Sequence, residues 1–331
     1  MTVSRVINGE KNVRPTTRDA VNAAIDALNY APNPAARSLA GAEQIRIGLL
    51  YSNPSAAYLS EFLVGGLDQA SRQNLQLVVE KCDPSDHAED AARRLVETGI
   101  DGVILPPPLC DSQPVIEVLA ETRTPAVAVA TGRIAESVSA VSIDDFGAAR
   151  AMTGHVIALG HQRVGFIIGN PNQDASARRL EGYKAALIDA GIEIDESLIA
   201  QGLFTYRSGL DAAEQLLDRE NPPSAIFASN DDMAAAAVAI AHRRGLDVPG
   251  DVTVCGFDDT ALATTIWPEL TTIRQPIAEM SRAAVDLLVD EIRRRRSGEK
   301  DRHQQMVLDF TLVRRQSDAA PRRRPRLSGV A

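Results

Sequence analysis

The side chains best suited to chemistry sit where short apolar runs give way to helical patterns. Arg179 stands early in ARRLEGYKAAL, Asn230 and Asp231 follow SAIFAS, Asp258 and Asp259 close DVTVCGF, and Asp144 follows SAVSI. Ionic and amide side chains of this kind donate to and accept from paired hydroxyls. An aromatic face, for which Phe204 and Tyr58 are available, would cover the C–H face of a ring. The same residue types have a plainer use: Asn and Asp cap helices by accepting from first-turn N–H groups, and Phe204 and Tyr58 could equally be core. Ser52 and Ser60 offer hydroxyls that could bond a ligand or simply close a turn.

Other chemistries lack their residues. The run IRIGLLY leads into SNPSAAYLSEF, without the glycines of a pyrophosphate loop, and no GxGxxG or GxxxxGK[ST] follows any strand-like run. No GxSxG, HExxH or HxH occurs. His155 and His161 are six apart across the LGH corner, which does not align them on one helix face, so a structural role is expected for both. Cys82, Cys110 and Cys255 are odd in number and far apart, which argues against disulfides and structural zinc. The residues therefore predict no catalytic centre, no metal and no cofactor.

These side chains need elements to hold them. The chain has 331 residues, 44% apolar and 24% charged, enough for a large core. It has no apolar run of membrane-spanning length, and its first 20 residues have no signal-like apolar stretch, so a cytoplasmic location is expected. The net charge is −9. Residues 1–41 carry five basic and three acidic side chains, and residues 312–331 carry six arginines and one aspartate. The acidic body between them would repel nucleic acid, so any DNA contact falls to the basic head or the arginine tail.

Residues 1–41 read as helical pieces. TVSRVIN is a stub ended by Asn8-Gly9, and a helix capped by Thr16 or Thr17 carries Val21, Ala24, Ile25 and Leu28 on one face before Pro32 and Pro34. From Ile45, apolar runs at 45–51, 75–80, 102–106, 125–130 and 139–143 alternate with helical patterns, and a second series runs through 163–169, 224–229 and 251–256. Continuous apolar runs between amphipathic helices predict parallel sheets covered on both faces. Two series predict two α/β lobes.

TVSRVINGE, then LNYAPNPAARSLAG, resembles the DNA-binding headpiece of the LacI/GalR family of bacterial regulators. SIDDFGAARAMTGHVIALGHQRVGFI, ASNDDMAAAAVAIAHRRGLDVPGDVTVCGFDDT and PELTTIRQP follow in that family's order, and the likeness covers all but the arginine tail. It implies an α/β fold: a two-lobed, periplasmic-binding-protein-like body of parallel sheets, preceded by a partial helix-turn-helix and hinge helix. The implied divisions are a headpiece at 1–41 with its hinge helix at 32–41, a ligand-binding body at 42–315, and a disordered tail at 316–331. Lobe 1 would take about 45–162 and 276–304, and lobe 2 about 163–274 and 305–315, with crossovers near 161–163, 274–276 and 303–306.

The resemblance also implies roles. Arg179, Asn230 and Asp258 match effector-binding positions, with Phe204, Tyr58, Gln275 and Asp144 as further candidates. Thr2, Ser4 and Arg5 would face the major groove. Asn33 and Ala36 would line the minor groove, where Leu39 would wedge between base pairs. The implied protein is a cytoplasmic repressor responding to a sugar or related molecule, a homodimer on operator DNA using helices near 58–73 and 276–292, with no membrane partner. The family has a first helix and turn before TVSR; a chain starting inside the recognition helix is expected to bind operator weakly. Two other readings are a sugar-binding module without DNA function and an enzyme on a doubly wound sheet.

Overall fold

The computed structural model describes Val3, Val6 and residues 13–28, 44–82, 87–132 and 138–322. The chain divides into two compact units, Met1–Gln44 and Ile45–Ala331. In the first, Val3 and Val6 have helical backbone. Val6 is buried and Val3 is 48% exposed, so the apolar stub is covered on one side only. Helix α1 (Pro15–Ala27) opens with proline, whose fixed φ and missing N–H suit a first helical position. Thr16 and Thr17 therefore lie inside the first turn rather than capping it. Of the expected apolar face, Val21 and Ile25 are half-buried, while Ala24 and Leu28 are exposed. Thr2, Ser4, Arg5, Asn33, Ala36 and Leu39, and with them the hinge segment, lie outside the described residues.

The second unit begins with β1 (Arg46–Tyr51), α2 (Ala56–Arg72), β2 (Gln76–Lys81), α3 (Ala88–Glu97), β3 (Gly102–Leu105), α4 (Gln113–Glu121), β4 (Ala126–Val129) and β5 (Ser139–Ile143). It continues with α5 (Asp145–Ala158), β6 (Val164–Ile168), α6 (Asp174–Asp189), β7 (Ile199–Gln201), α7 (Tyr206–Leu217), β8 (Ala225–Ala228), α8 (Asp231–Arg243), β9 (Thr253–Asp258), α9 (Leu262–Thr265) and β10 (Thr271–Arg274). Then come α10 (Ile277–Arg296), β11 (Gln305–Leu308) and β12 (Thr311–Val313). The first sheet, in the order β11-β5-β4-β3-β1-β2, is parallel throughout. The second, β12-β10-β9-β8-β6-β7, is parallel except for β12, which runs antiparallel to β10. Central strands such as GVIL and AVAV are buried at every residue, as a sheet clad by helices on both faces requires. The fold is thus a two-lobed α/β body, and strand carboxyl ends from both lobes meet at the cleft between them.

Two crossovers differ from expectation. Helix α5 packs on α6 and on strands of the second sheet, burying Ala148, Ala149, Met152 and Val156. The first crossing is therefore at Asp144–Asp145, not at 161–163. Strand β11 pairs with β5 in the first sheet and β12 with β10 in the second, so the third crossing falls at 309–310 rather than 303–306. Periodicity reports that a helix has a buried face, not which sheet that face covers. The middle crossing runs through Gln275 and Pro276 into α10, which packs on α2 and on β3, β4 and β5.

The expected tail at 316–331 starts later. Ser317 is fully buried; its Oγ accepts from the Thr271 amide at 2.8 Å and donates to the Val254 carbonyl at 2.5 Å. Asp318 meets His155 Nε2 at 2.8 Å, accepts from Thr271 Oγ1 and pairs with Arg314 at 3.2 Å. His161 bridges Ser224 Oγ at 2.9 Å and the Ala319 carbonyl at 2.8 Å. Both histidines thus tie the strap 316–322 to the second lobe, and residues 323–331 lie outside the described residues. Burial alone would raise the Asp318 carboxyl, but the bonds from Thr271, His155 and Arg314 outweigh it and lower its pKa. A lowered carboxyl contributes stability above the ordinary carboxylate pKa that is lost as pH falls through the folded value. Asp318→Ala is expected to lower unfolding stability by about 3 kcal/mol near neutral pH, read as a shift in the urea midpoint, and the loss should shrink on acidification.

Candidate ligand-binding cleft

The loops at the strand ends of the two lobes enclose about 420 Å³ of space, counting the open mouth. Lobe 1 contributes Asn53, Ser55, Tyr58 and Ala130; lobe 2 contributes Gln173, Arg179, Phe204, Asn230 and Asp258; Gln275 comes from the middle crossing. Six of the seven expected effector-site residues are therefore brought together, although their separation in sequence exceeds 200 residues. Three residues of this wall, Ala130 (φ 57°), Phe204 (φ 59°) and Asp258 (φ 113°), have left-handed backbone. Such strain in non-glycine residues persists only where surrounding structure enforces it, often at ligand sites.

Arg179 is the cation of the cleft. It is 4% exposed, donates from Nε to Asp145 at 2.7 Å and from Nη1 to the Ser229 carbonyl at 2.6 Å, and lies 3.9 Å from an Asp258 oxygen. Its guanidinium stacks 3.6 Å from the Phe257 ring centroid and 5.7 Å from that of Phe204. One guanidinium thus faces two carboxyls. Burial raises the Asp145 pKa and Arg179 pulls it back. Burial pushes Asp258 well above the ordinary carboxylate range, against Arg179 and with help from Asp231. Gln275 Nε2 donates to Asp258 at 2.6 Å.

The polar atoms left over point to a ligand. Tyr58 Oη and Gln275 Oε1 are buried and find no hydrogen-bond partner among the described residues, though both residues line the cleft. A buried orphan polar group costs about 1–3 kcal/mol. The Tyr58 hydroxyl stays protonated, since burial holds its pKa well above the usual value. The wall therefore offers one unused hydroxyl and one unused amide acceptor. The Phe204 ring, beside them, lies flat on the Gly169 backbone, where any Cβ would overlap it. Gln201 Nε2 holds that loop by donating to the Gly169 and Gly202 carbonyls, each at 2.6 Å.

Other residues play different parts. Asn230 lines the cleft, but its side chain caps α8 through the Met233 amide at 2.9 Å and donates to the Phe204 carbonyl at 3.1 Å. Asp144 is not part of this wall. It accepts from the Gly147 amide at 2.9 Å and caps α5, beside Arg178. Consecutive side chains at a strand–helix junction diverge, so its neighbour Asp145 reaches Arg179 instead. Ser52 and Ser60 are not in the wall, whereas Ser55 is; it caps α2 and donates to Asp232 of the other lobe at 2.6 Å. Only the generic cap signal before α2 could have indicated Ser55.

Asp231 and Asp259 frame the site from behind. Asp259 pairs with Arg274 and Arg315, each at 2.6 Å. Asp231 is fully buried and accepts from the Thr260 amide at 2.8 Å and Thr272 Oγ1 at 2.7 Å. Burial pushes its carboxyl up to about 7, with the Thr272 and Thr260 bonds opposing. A raised carboxyl favours folding fully below its unfolded pKa and loses that contribution as pH rises through the folded value. Asp231→Asn is accordingly expected to flatten the decline in stability between about pH 4 and 7, measurable as melting temperature against pH beside the parent chain. Among the described residues no group of three His, Cys, Asp or Glu side chains could hold a metal ion, and no helix is long and apolar enough to cross a membrane.

Two parallel-stranded lobes with a polar cleft at their strand ends define a ligand-binding body of the periplasmic-binding-protein type, here following a separate helical unit. Comparison with known proteins agrees: residues 153–317 match the periplasmic binding protein-like domain, and residues 1–33 match the bacterial regulatory proteins, lacI family. The HTH-type transcriptional regulator CelR of Thermobifida fusca is 38% identical over 323 residues, covering 96% of this chain and 94% of its own. A CelR–cellobiose complex superposes with a TM-score of 0.76 at 34% identity, covering 96% and 95% of the two chains. A lac repressor dimer bound to operator and the anti-inducer ONPF gives 0.79 at 28% identity, with the same coverage. The chain belongs to the lacI family of bacterial regulatory proteins. It is a ligand-responsive, DNA-binding transcriptional regulator, and the relatives compared are regulators rather than enzymes.

Proposed function

We propose that the cleft binds a sugar or closely related hydroxylated molecule and that this binding sets the affinity of a cytoplasmic homodimer for operator DNA, with the protein acting as a repressor and catalysing no reaction. The observation that carries the reading is the pair of buried, unpartnered atoms, Tyr58 Oη and Gln275 Oε1, beside Arg179 and the Phe204 ring. A hydroxyl-bearing ring supplies partners for both atoms and an apolar face for the phenyl group. The cellobiose complex of CelR supports this ligand class, and the operator-bound lac repressor dimer supports the assembly. Arg179, Asp258, Gln275, Tyr58, Phe204 and Asn230 form the effector site in this reading. Calorimetric titration of the full chain with cellobiose and a panel of neutral mono- and disaccharides tests it; at least one is expected to bind at a single site per chain.

On the DNA side, Thr2, Ser4 and Arg5 are assigned to the major groove and Asn33, Ala36 and Leu39 to the minor groove. A wedge residue gains its energy by bending the duplex onto more protein surface. Leu39→Ala is therefore expected to weaken operator binding by about 10- to 100-fold at fixed salt while leaving ligand affinity unchanged. Fluorescence anisotropy on a palindromic site reads the first effect and calorimetry the second.

A further inference from the structure

Helices α2, α5, α6, α7, α8 and α10 begin at or beside the cleft. The start of a helix is ordinarily a ready site for an anion, because its free N–H groups and dipole favour negative charge. All but one of these starts are already answered by a carboxylate; α7 has no acid in its first turn and is capped by Thr205 Oγ1, which accepts from the Ser208 amide at 3.0 Å, while α10 has Glu279 in its first turn. Helix α5 has Asp145 in its first turn, α6 has Asp174, and α8 has Asp231 and Asp232. Helix α2 has no acid in its first turn, but Asp232 reaches across from the other lobe to its cap, Ser55, at 2.6 Å. The one arginine of the wall is held by Asp145 at 2.7 Å. The orphan atoms, a phenolic hydroxyl and an amide oxygen, suit hydroxyl groups and include no cation.

We infer that the cleft selects an uncharged ligand and rejects phosphorylated or acidic counterparts of the same molecule, with Asp232 as the residue that sets this discrimination. The inference rests on the sugar reading above and narrows it. A phosphate entering the cleft would lose its hydration and find no surplus positive charge, while facing the Asp232 carboxylate at its rim. Selection of this kind works by repulsion rather than by added attraction. Asp232 is the informative position because it belongs to no ion pair among the described residues. Its carboxylate accepts from Ser55 and, at 3.5 Å, from Asn230, bonds that an asparagine oxygen can still accept.

The test is calorimetry on the full chain with matched pairs: cellobiose and its 6′-phosphate, trehalose and trehalose 6-phosphate, glucose and glucose 6-phosphate, fructose and fructose 6-phosphate. For any pair whose neutral member binds, the phosphorylated member is expected to bind at least about 100-fold more weakly. Asp232→Asn is expected to narrow that ratio by about tenfold, a change that a purely structural role for Asp232 would not produce. A phosphorylated sugar that binds as tightly as its neutral partner, or a ratio unmoved in Asp232→Asn, overturns the inference while leaving the sugar reading intact. If neither member of any pair binds, the sugar reading fails and the charge inference falls with it.

Discussion

Arg179→Ala is expected to abolish the ligand response. Among the described residues the side chain is the only cation of the cleft wall, and charge-assisted hydrogen bonds contribute roughly 1.5–3 kcal/mol each, so the loss of two such bonds to a ligand would weaken affinity by about 100- to 10,000-fold. The substitution also removes the partner of Asp145, whose side chain is 3% exposed. An uncompensated buried charge costs roughly 3–5 kcal/mol, and part of the Arg179→Ala phenotype will be lost stability. The double variant Arg179→Gln with Asp145→Asn separates the two effects. It replaces the ion pair with an amide pair and should recover most of the stability without recovering ligand affinity. Calorimetry and urea denaturation on the same preparations read both quantities. Ligand affinity restored together with stability would show that Arg179 only holds the wall in place.

Gly132→Val is expected to hold the lobes apart. Gly132 follows β4 in lobe 1 and lies against the first residues of α6 in lobe 2, where a Cβ would stand 2.7 Å from the Asp174 carbonyl carbon and 2.9 Å from the Ala175 nitrogen. Those atoms are backbone and cannot swing aside as a side-chain tip could. At the same rim Asp111 accepts from the Asp174 amide at 3.1 Å and from Thr131 Oγ1 at 2.6 Å, so the wedge also breaks a bond between the lobes. Each lobe keeps its own sheet. The expected result is a folded protein with a larger radius of gyration by small-angle scattering and ligand affinity reduced by about 100-fold or more. Wild-type affinity in a folded Gly132→Val chain would show that ligand binding needs no closure at this rim.

Much of the body was legible in the sequence because of one physical regularity. Strands covered on both faces leave continuous apolar runs, and IRIGLLY, GVILP and RVGFIIG could be read directly. The polar residues at their carboxyl ends could be read as a site for the same reason, since that is where parallel strands deliver their loops. Assignments that depend on three-dimensional direction were not legible. Asp144 and Asp145 are equivalent in the sequence, yet one caps α5 and the other holds Arg179. Helix α5 shows a buried stripe without showing which lobe it serves. The strap at 316–322 carries almost no apolar signal because it is held by polar bonds from Thr271, His155 and His161, partners far away along the chain. Ser55 and Asp232 are 177 residues apart and meet only because the two lobes face each other.

A ligand seated between the lobes is expected to change the affinity of the protein for DNA. The most direct test is titration of the binding sugar into the protein–operator complex, followed by fluorescence anisotropy at fixed salt because phosphate contacts make affinity salt-dependent. Wild type and the double variant Arg179→Gln, Asp145→Asn are compared on the same DNA, a palindromic site selected from random sequence. Saturating ligand is expected to change wild-type operator affinity by about 5- to 150-fold, a coupling of roughly 1–3 kcal/mol, and to leave the variant unchanged. An equal ligand response in both proteins, or binding of the sugar without any change in operator affinity, would contradict it.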